Sequence, residues 1–234
     1  MKIVFIGTSH GFPEADRRCS CTMLEVSGRY YFIDMGTMAS EELIRRGISY
    51  NDIKAVFITH CHGDHTNGLT AFYDLCNWYY KEADPLIFMP KQEAITALEN
   101  WEKANTQQLR GIRTAVTNEG LVFDDGYIKV TAIPTLHIEK SFAYIIEVQG
   151  KVILFSGDLK HPTIDFPKIE KQIDLAVCEA AHFSPLDYIN VFEKLNIKNI
   201  TLNHIYSKHN KDIEELIKHK YPISPSYDGL EIEI

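Results

Sequence analysis

Thr59-His60-Cys61-His62-Gly63-Asp64-His65 follows directly on the apolar run Ala55–Ile58. Four potential metal ligands in so short a stretch cannot sit inside an apolar core without partners, because buried polar atoms left unsatisfied cost free energy. On a strand leaving a sheet, His60 and His62 share one face by the two-residue period. The chain then turns at Gly63, a residue that tolerates unusual backbone angles, so Asp64 and His65 can point back from the start of the next helix. Two ligand pairs aimed at neighbouring points suit a binuclear centre, whose ions lie roughly 3.5–4 Å apart. A cluster of surface histidines is the bland alternative, and the density of ligands argues against it.

Three later segments repeat one pattern, an apolar strand ending in a ligand. Thr131–Leu136 leads to His137, Val152–Gly157 to Asp158, and Ile200–Asn203 to His204. Any one alone would read as a surface or satisfied-core residue. All three after the first cluster are hard to obtain by accident.

Around these residues, short β-branched and aromatic runs alternate with helical stretches. Strands are expected at Lys2–Ile6, Thr22–Val26, Tyr30–Asp34, Ala55–Thr59, Leu86–Met89, Ile128–Ile133, Phe142–Val148, Lys151–Ser156, Leu175–Glu179 and Asn199–Asn203. Helices are expected at Met38–Arg46, Thr66–Lys81, Lys91–Ala104, Leu186–Leu195 and Lys211–His219. Ser27–Gly28 and Gln149–Gly150 mark tight hairpins. Hairpins come first in each half and strand–helix alternation follows, which implies an α/β architecture of two mixed sheets back to back with helices outside. No linker or repeat divides residues 1–234, so one domain is expected.

A hydrophobic fraction of 45% is ample for a large core. The formal charge is −8, from 24 basic and 32 acidic residues. That balance argues against gripping a long nucleic-acid backbone, which needs clustered Lys and Arg. It leaves room for a small anionic substrate, because bound divalent ions add local positive charge. Cys19, Cys21, Cys61, Cys76 and Cys178 form an odd set without regular spacing, which suits free thiols in a reducing cytoplasm. The N-terminal residues lack the pattern of a signal peptide, and no apolar run approaches the roughly 18 residues of a membrane span. A homo-oligomer is left open.

The His60-x-His62-x-Asp64-His65 string, then a lone His, a Gly-Asp and a last His, resembles the metallo-β-lactamase superfamily over nearly the whole chain. Ile6-Gly7-Thr8, Gly11 with Pro13, and Arg18 with Ser20 resemble the opening of its ribonuclease Z-like branch. Phe32-Ile33-Asp34-Met35-Gly36 is similar to the superfamily's first motif, where the Asp buttresses the metal loop. Asn203-His204-Ile205 and Tyr227-Asp228-Gly229-Leu230 resemble the branch's last ligand and closing strand. The resemblance implies a four-layer αββα sandwich and two divalent metal ions. His60, His62 and His137 would bind the first, Asp64, His65 and His204 the second, with Asp158 bridging. Nitrogen and carboxylate donors suit Zn²⁺, and Mn²⁺ or Fe fit the same cage. Cys61 should point away from the ligands by strand alternation.

Two such ions lower the pKa of a bridging water and polarise a carbonyl or phosphoryl oxygen, so hydrolysis is the expected reaction. Asp64, with one oxygen on the metal, can hold the nucleophile's proton with the other. Only 20 residues lie between His137 and Asp158, where the tRNA-processing members usually carry an exosite arm. The branch's His-Glu-Ala-Thr motif is altered to Cys178-Glu179-Ala180-Ala181, and His182 is the candidate to supply the missing imidazole as a catalytic acid. These features resemble phosphodiesterases acting on small or cyclic phosphate esters. A lactonase or thioesterase, with Tyr206 near the site, is the rival enzyme class. A ligand-binding or signalling module that keeps its metals is the rival from outside enzymes. Phe72, Tyr73, Trp78, Tyr79 and Tyr80, with Trp101, are candidates to wall the pocket, although aromatics at helical spacing more often belong to the core, and His10 is a candidate to touch substrate. His161, His209 and His219 have no assigned role.

Overall fold

Strand Lys2–Gly7 (β1) explains the architecture in miniature, because its apolar residues have no polar partners between them. Ile3 and Phe5 face one core while Val4 and Ile6 face another. A strand buried on both faces belongs between two packed layers. In a computed structural model, which describes residues 1–105 and 112–234, the same alternation recurs in both halves.

The strands are β1, Cys21–Val26 (β2), Arg29–Ile33 (β3), Ile53–Phe57 (β4), Leu86–Met89 (β5), Arg113–Val116 (β6) and Gly120–Asp124 (β7). There follow Lys129–Pro134 (β8), Phe142–Val148 (β9), Lys151–Phe155 (β10), Leu175–Ala180 (β11), Ile200–Ile205 (β12), Ile223–Pro225 (β13) and Glu231–Glu233 (β14). They form two seven-stranded sheets, β14-β1-β2-β3-β4-β5-β6 and β13-β12-β11-β10-β9-β8-β7. Each sheet is antiparallel where hairpins build it and parallel where helices intervene. The turns at Ser27–Gly28 and Gln149–Gly150 have positive φ at both residues, as two-residue type I′ hairpins require.

The sheets share a core of Phe5, Tyr31, Phe57, Phe88, Tyr144, Ile146, Phe155 and Val177 among others. Phe57 stacks on Phe88 at 5.0 Å and meets Tyr144 at 5.7 Å. Truncating such a side chain to Ala leaves a cavity worth about 3–5 kcal/mol. On the outer face of the first sheet lie Ser40–Arg45 (α1), Gly63–Thr66 (α2), Leu69–Trp78 (α3) and Gln92–Asn105 (α4). Leu43, Leu69, Phe72, Tyr73, Ile95 and Leu98 pack there. Pro162–Asp165 (α5), Ile189–Phe192 (α6) and Asn210–Ile217 (α7) cover the second sheet. This is the four-layer αββα sandwich. Among the described residues no helix is long and apolar enough to cross a membrane.

Some elements differ from expectation. The helix expected over 66–81 is two helices, because Gly68 N donates to Met35 O at 2.8 Å and a Cβ there would lie 2.1 Å from Thr37 O. The stretch expected as a helix over 186–195 is a short 3₁₀ turn, Pro185–Tyr188, followed by α6. β6, β7 and β13 are extra strands at sheet edges, short and partly exposed, so they carry little hydrophobic pattern. β14 pairs with β1, so the last strand closes the first sheet.

Candidate metal centre

The functional side chains leave the carboxyl ends of strands, at one end of the sandwich. The chain beyond β4 is pinned to both sheets: Ile58 N donates to Phe88 O at 3.0 Å, and Thr59 O accepts from Phe142 N at 2.9 Å. Asp34, just past β3, then organises the loop. Its carboxylate accepts from Thr59 N at 2.8 Å, from Thr59 Oγ1 at 3.0 Å and from His65 Nδ1 at 2.7 Å. Gly36 is needed where the two loops cross, since a Cβ there would lie 1.7 Å from Asp64 O. Gly63 simply opens α2. The unusual backbone sits instead at Asp34 and His204, with φ of 59° and 51°, a region that Asp and His tolerate better than most residues.

All seven expected ligands converge. His60 Nε2 lies 2.9 Å from His62 Nδ1, which lies 3.3 Å from His137 Nε2. His204 Nε2 lies 3.1 Å from both His65 Nε2 and Asp64 Oδ2. Asp158 stands between the two sets: its Oδ2 is 3.5 Å from His60 Nε2 and 3.5 Å from His65 Nε2, and its Oδ1 is 3.6 Å from His204 Nδ1. His204 Nδ1 is buried without a hydrogen bond. Donors bound to one tetrahedral Zn²⁺ at 2.0–2.1 Å would lie about 3.3 Å apart. The observed nitrogen and oxygen spacings fit a divalent cation among His60, His62 and His137 and another among Asp64, His65 and His204.

The ionisable groups of the cluster are strongly perturbed. Burial, reinforced by His65, lowers the His60 imidazole to about 2, so it presents a lone pair. Burial also lowers His137. Asp64 and Asp158 are held well below the usual carboxylate range, because His204 and His65 outweigh the cost of their burial. Asp34 and Asp158 overcome burial to raise His65 well above its ordinary value.

His182 joins this group. Its ring lies 4.5 Å from that of His137 and 5.6 Å, nearly parallel, from that of His204. Nδ1 is 2.8 Å from Glu179 Oε2, which leaves Nε2 3.8 Å from Asp158 Oδ2. Burial alone would lower this imidazole, but the Glu179 hydrogen bond and the Glu179 and Asp158 charges raise it to about 9. Glu179, fully enclosed, also accepts from the backbone N–H groups of Leu159, Ala181 and His182. Its role was not assigned from sequence, though Leu175–Glu179 repeats the pattern of an apolar strand ending in a ligand. Strand alternation turns Cys178 outward into the helical layer, packed with Tyr188 and Leu202. Cys61 likewise packs toward the helices of the first half.

The aromatic wall falls elsewhere than expected. Phe72 and Tyr73 are buried in the outer core, Tyr80 stacks on Tyr50 there, and Trp78, Tyr79 and Trp101 are exposed. Phe12, His10 and Tyr206 supply the aromatic surface near His204. His161 caps α5, and His209 Nε2 contacts Ala181 O at 3.1 Å.

The family model described as the anti-Pycsar protein Apyc1 matches residues 1–180. Ribonuclease Z of Shouchella clausii (strain KSM-K16) is 29% identical over 154 residues, covering 64% of this chain and 49% of that protein. The chain thus matches about half the length of that curated relative. Among solved structures, the metallo-β-lactamase-fold protein YhfI from Bacillus subtilis superposes with a TM-score of 0.77 at 16% identity, over 99% of this chain and 98% of that one. The short form of human tRNase Z gives 0.76 at 20% identity, over 100% and 99%. A diphosphatase from the PhnP family gives 0.73 at 19%, over 100% and 97%. The chain belongs to the Apyc1 family, has the metallo-β-lactamase fold and is ribonuclease Z-like.

Proposed function

We propose that this member of the Apyc1 family, acting as one domain, is a metal-dependent hydrolase of small or cyclic phosphodiesters. His60, His62 and His137 would hold one divalent ion, Asp64, His65 and His204 the other, with Asp158 shared. Such donors suit Zn²⁺ and also accept Mn²⁺ or Fe. Ions so placed supply Lewis acidity toward a phosphoryl oxygen and a lowered pKa for water.

The chain's own groups handle the protons. Asp64 turns Oδ2 toward His204, leaving Oδ1 to orient the attacking water and take its proton. His182 supplies a proton to the departing alkoxide. The observation that carries the phosphodiester reading is the His182–Glu179 pair: Nδ1–H donates to Glu179 at 2.8 Å and Nε2 faces the cluster. The Glu179 carboxylate favours the protonated ring. A positioned acid of this kind contributes typically 10²–10⁴-fold when the leaving group is poor. The interval between His137 and Asp158 is filled by the β9–β10 hairpin, so the candidate site carries no arm there for a long nucleic acid. Five free thiols suit a reducing cytoplasm.

The test is turnover by Zn²⁺- and Mn²⁺-loaded protein of bis-p-nitrophenyl phosphate, small cyclic phosphodiesters, a short RNA and a panel of lactones and thioesters. The RNA arm is included because relatives are named ribonuclease Z. Hydrolysis of the small diesters without the carbonyl substrates is expected. Carbonyl turnover alone would make it a lactonase or thioesterase. Cleavage of RNA alone would make it a nuclease, and two bound ions without any turnover would make it a binding module.

A further inference from the structure

An aromatic group that the mechanism above leaves unused stands beside His204. Ser9 forms β-bridges with both Cys19 and Ile205, and Ile205 N donates to Thr8 O at 2.8 Å. The opening loop is thereby fixed alongside residues 204–206. There the His10 ring packs on Tyr206 with centroids 3.8 Å apart, and Phe12 meets His10 edge-on at 4.6 Å. Ser9 Oγ donates to Phe12 O at 2.7 Å, and Glu14 Oε1 accepts from Ser207 N at 3.1 Å, so the loop has a defined shape.

His10 is only 5% exposed, and its Nε2 has no hydrogen bond, with Glu14 Oε1 3.4 Å away. Phe12 above it is 55% exposed. A large apolar ring held in water over a buried imidazole gains when another apolar surface covers it. Lys208 Nζ lies 4.4 Å from the Tyr206 ring and adds positive charge to the same corner. Ser9 bridges Ile205, the residue after His204, which puts the group on the Asp64–His65–His204 side of the cluster.

We infer that Phe12 and Tyr206, propped by His10, form a stacking subsite for a planar aromatic group of the substrate, selecting aryl or heteroaryl phosphate esters over alkyl ones. This rests on the phosphodiesterase reading, since the stacked group is the one esterified to phosphate.

The experiment is calorimetric binding of phenyl, cyclohexyl and ethyl phosphate to the Zn²⁺-loaded protein, as wild type, Phe12→Ala and Phe12→Tyr. Aromatic stacking of this kind corresponds to about tenfold in affinity. Wild type is expected to prefer phenyl over cyclohexyl and ethyl phosphate by that factor. Phe12→Ala should remove the preference by weakening phenyl phosphate alone, and Phe12→Tyr should keep it. Ethyl phosphate reports that the variants remain folded around the cluster. No preference in wild type, or equal weakening of all three esters in Phe12→Ala, would overturn the subsite. If wild type still turns over bis-p-nitrophenyl phosphate, only the subsite falls. If it neither binds the monoesters nor turns over the diester, the phosphodiesterase reading falls and takes the subsite with it.

Discussion

His60, His62 and His137 meet through imidazole nitrogens alone, and the set opens outward from fully buried His60 to exposed His62. Asp64, His65 and His204 include a carboxylate, and all three are buried. Behind the second set stands Asp34, which fixes His65 Nδ1 at 2.7 Å and ties the whole loop through Thr59. Behind the first set stands little more than Thr59 Oγ1, 3.1 Å from His60 Nδ1. One half of the candidate centre is therefore held by the fold, and the other opens toward solvent. Fixed partners behind a ligand set its orientation and basicity.

The largest effect should come from the group both halves share. Asp158→Ala should lower metal content, measured by plasma mass spectrometry, from two ions to one or none. Retention of both ions with loss of activity would mean that Asp158 is not the bridge.

The asymmetry itself predicts a staged response. His62→Ala should lose the first ion and keep the second, whereas Asp34→Asn should weaken the second by roughly 10–100-fold, the usual cost of removing a ligand's hydrogen-bonded partner. Stepwise chelator titration of wild type should likewise remove one ion well before the other. Simultaneous loss in all three experiments would erase the distinction between the halves.

His182 belongs to neither half but leans on a ring from each. Glu179→Gln and His182→Ala should both slow diesters with poor leaving groups, by up to about 10²–10⁴-fold, and spare p-nitrophenyl esters. Metal content should not change. Equal slowing of both ester types would remove the proton-donor role and leave the pair a structural one.

Much of this was legible in the residues, and for identifiable reasons. Ligands at strand ends announce themselves because an apolar run fixes where the strand stops, so His60, His62, His137, Asp158 and His204 could be placed without coordinates. Both tight hairpins were readable from Ser27–Gly28 and Gln149–Gly150 between strand-like runs. Glu179 was passed over because a carboxylate at a strand end looks the same whether it meets a metal, a backbone or a histidine; only its four donors distinguish it. The aromatics from Phe72 to Tyr80 could not be divided between pocket and core from sequence, because helical spacing cannot say which face meets the core; Tyr50, far away in sequence, claims Phe72 and Tyr80. Phe12 gave no periodic signal at all, since the loop carrying it is shaped by Ser9 and by the strand end at Ile205.

The smallest effect is expected where a potential ligand lies between two real candidates. Cys61 separates His60 from His62, and a thiolate there would outrank either imidazole for Zn²⁺. Alternation instead turns Sγ toward the helical layer, against the cluster that holds Leu69 and Ile95. Burial also raises the thiol above its ordinary value, which disfavours the thiolate that a metal needs. Cys61→Ala should therefore leave both ions and diester turnover unchanged and cost only about 1 kcal/mol of stability, as for a small partly buried side chain. Cys61→Ser should behave similarly in metal content, since no ligand is exchanged. Loss of an ion in either variant would place a thiolate in the first set, and the contrast between an all-imidazole site and a carboxylate site would no longer hold.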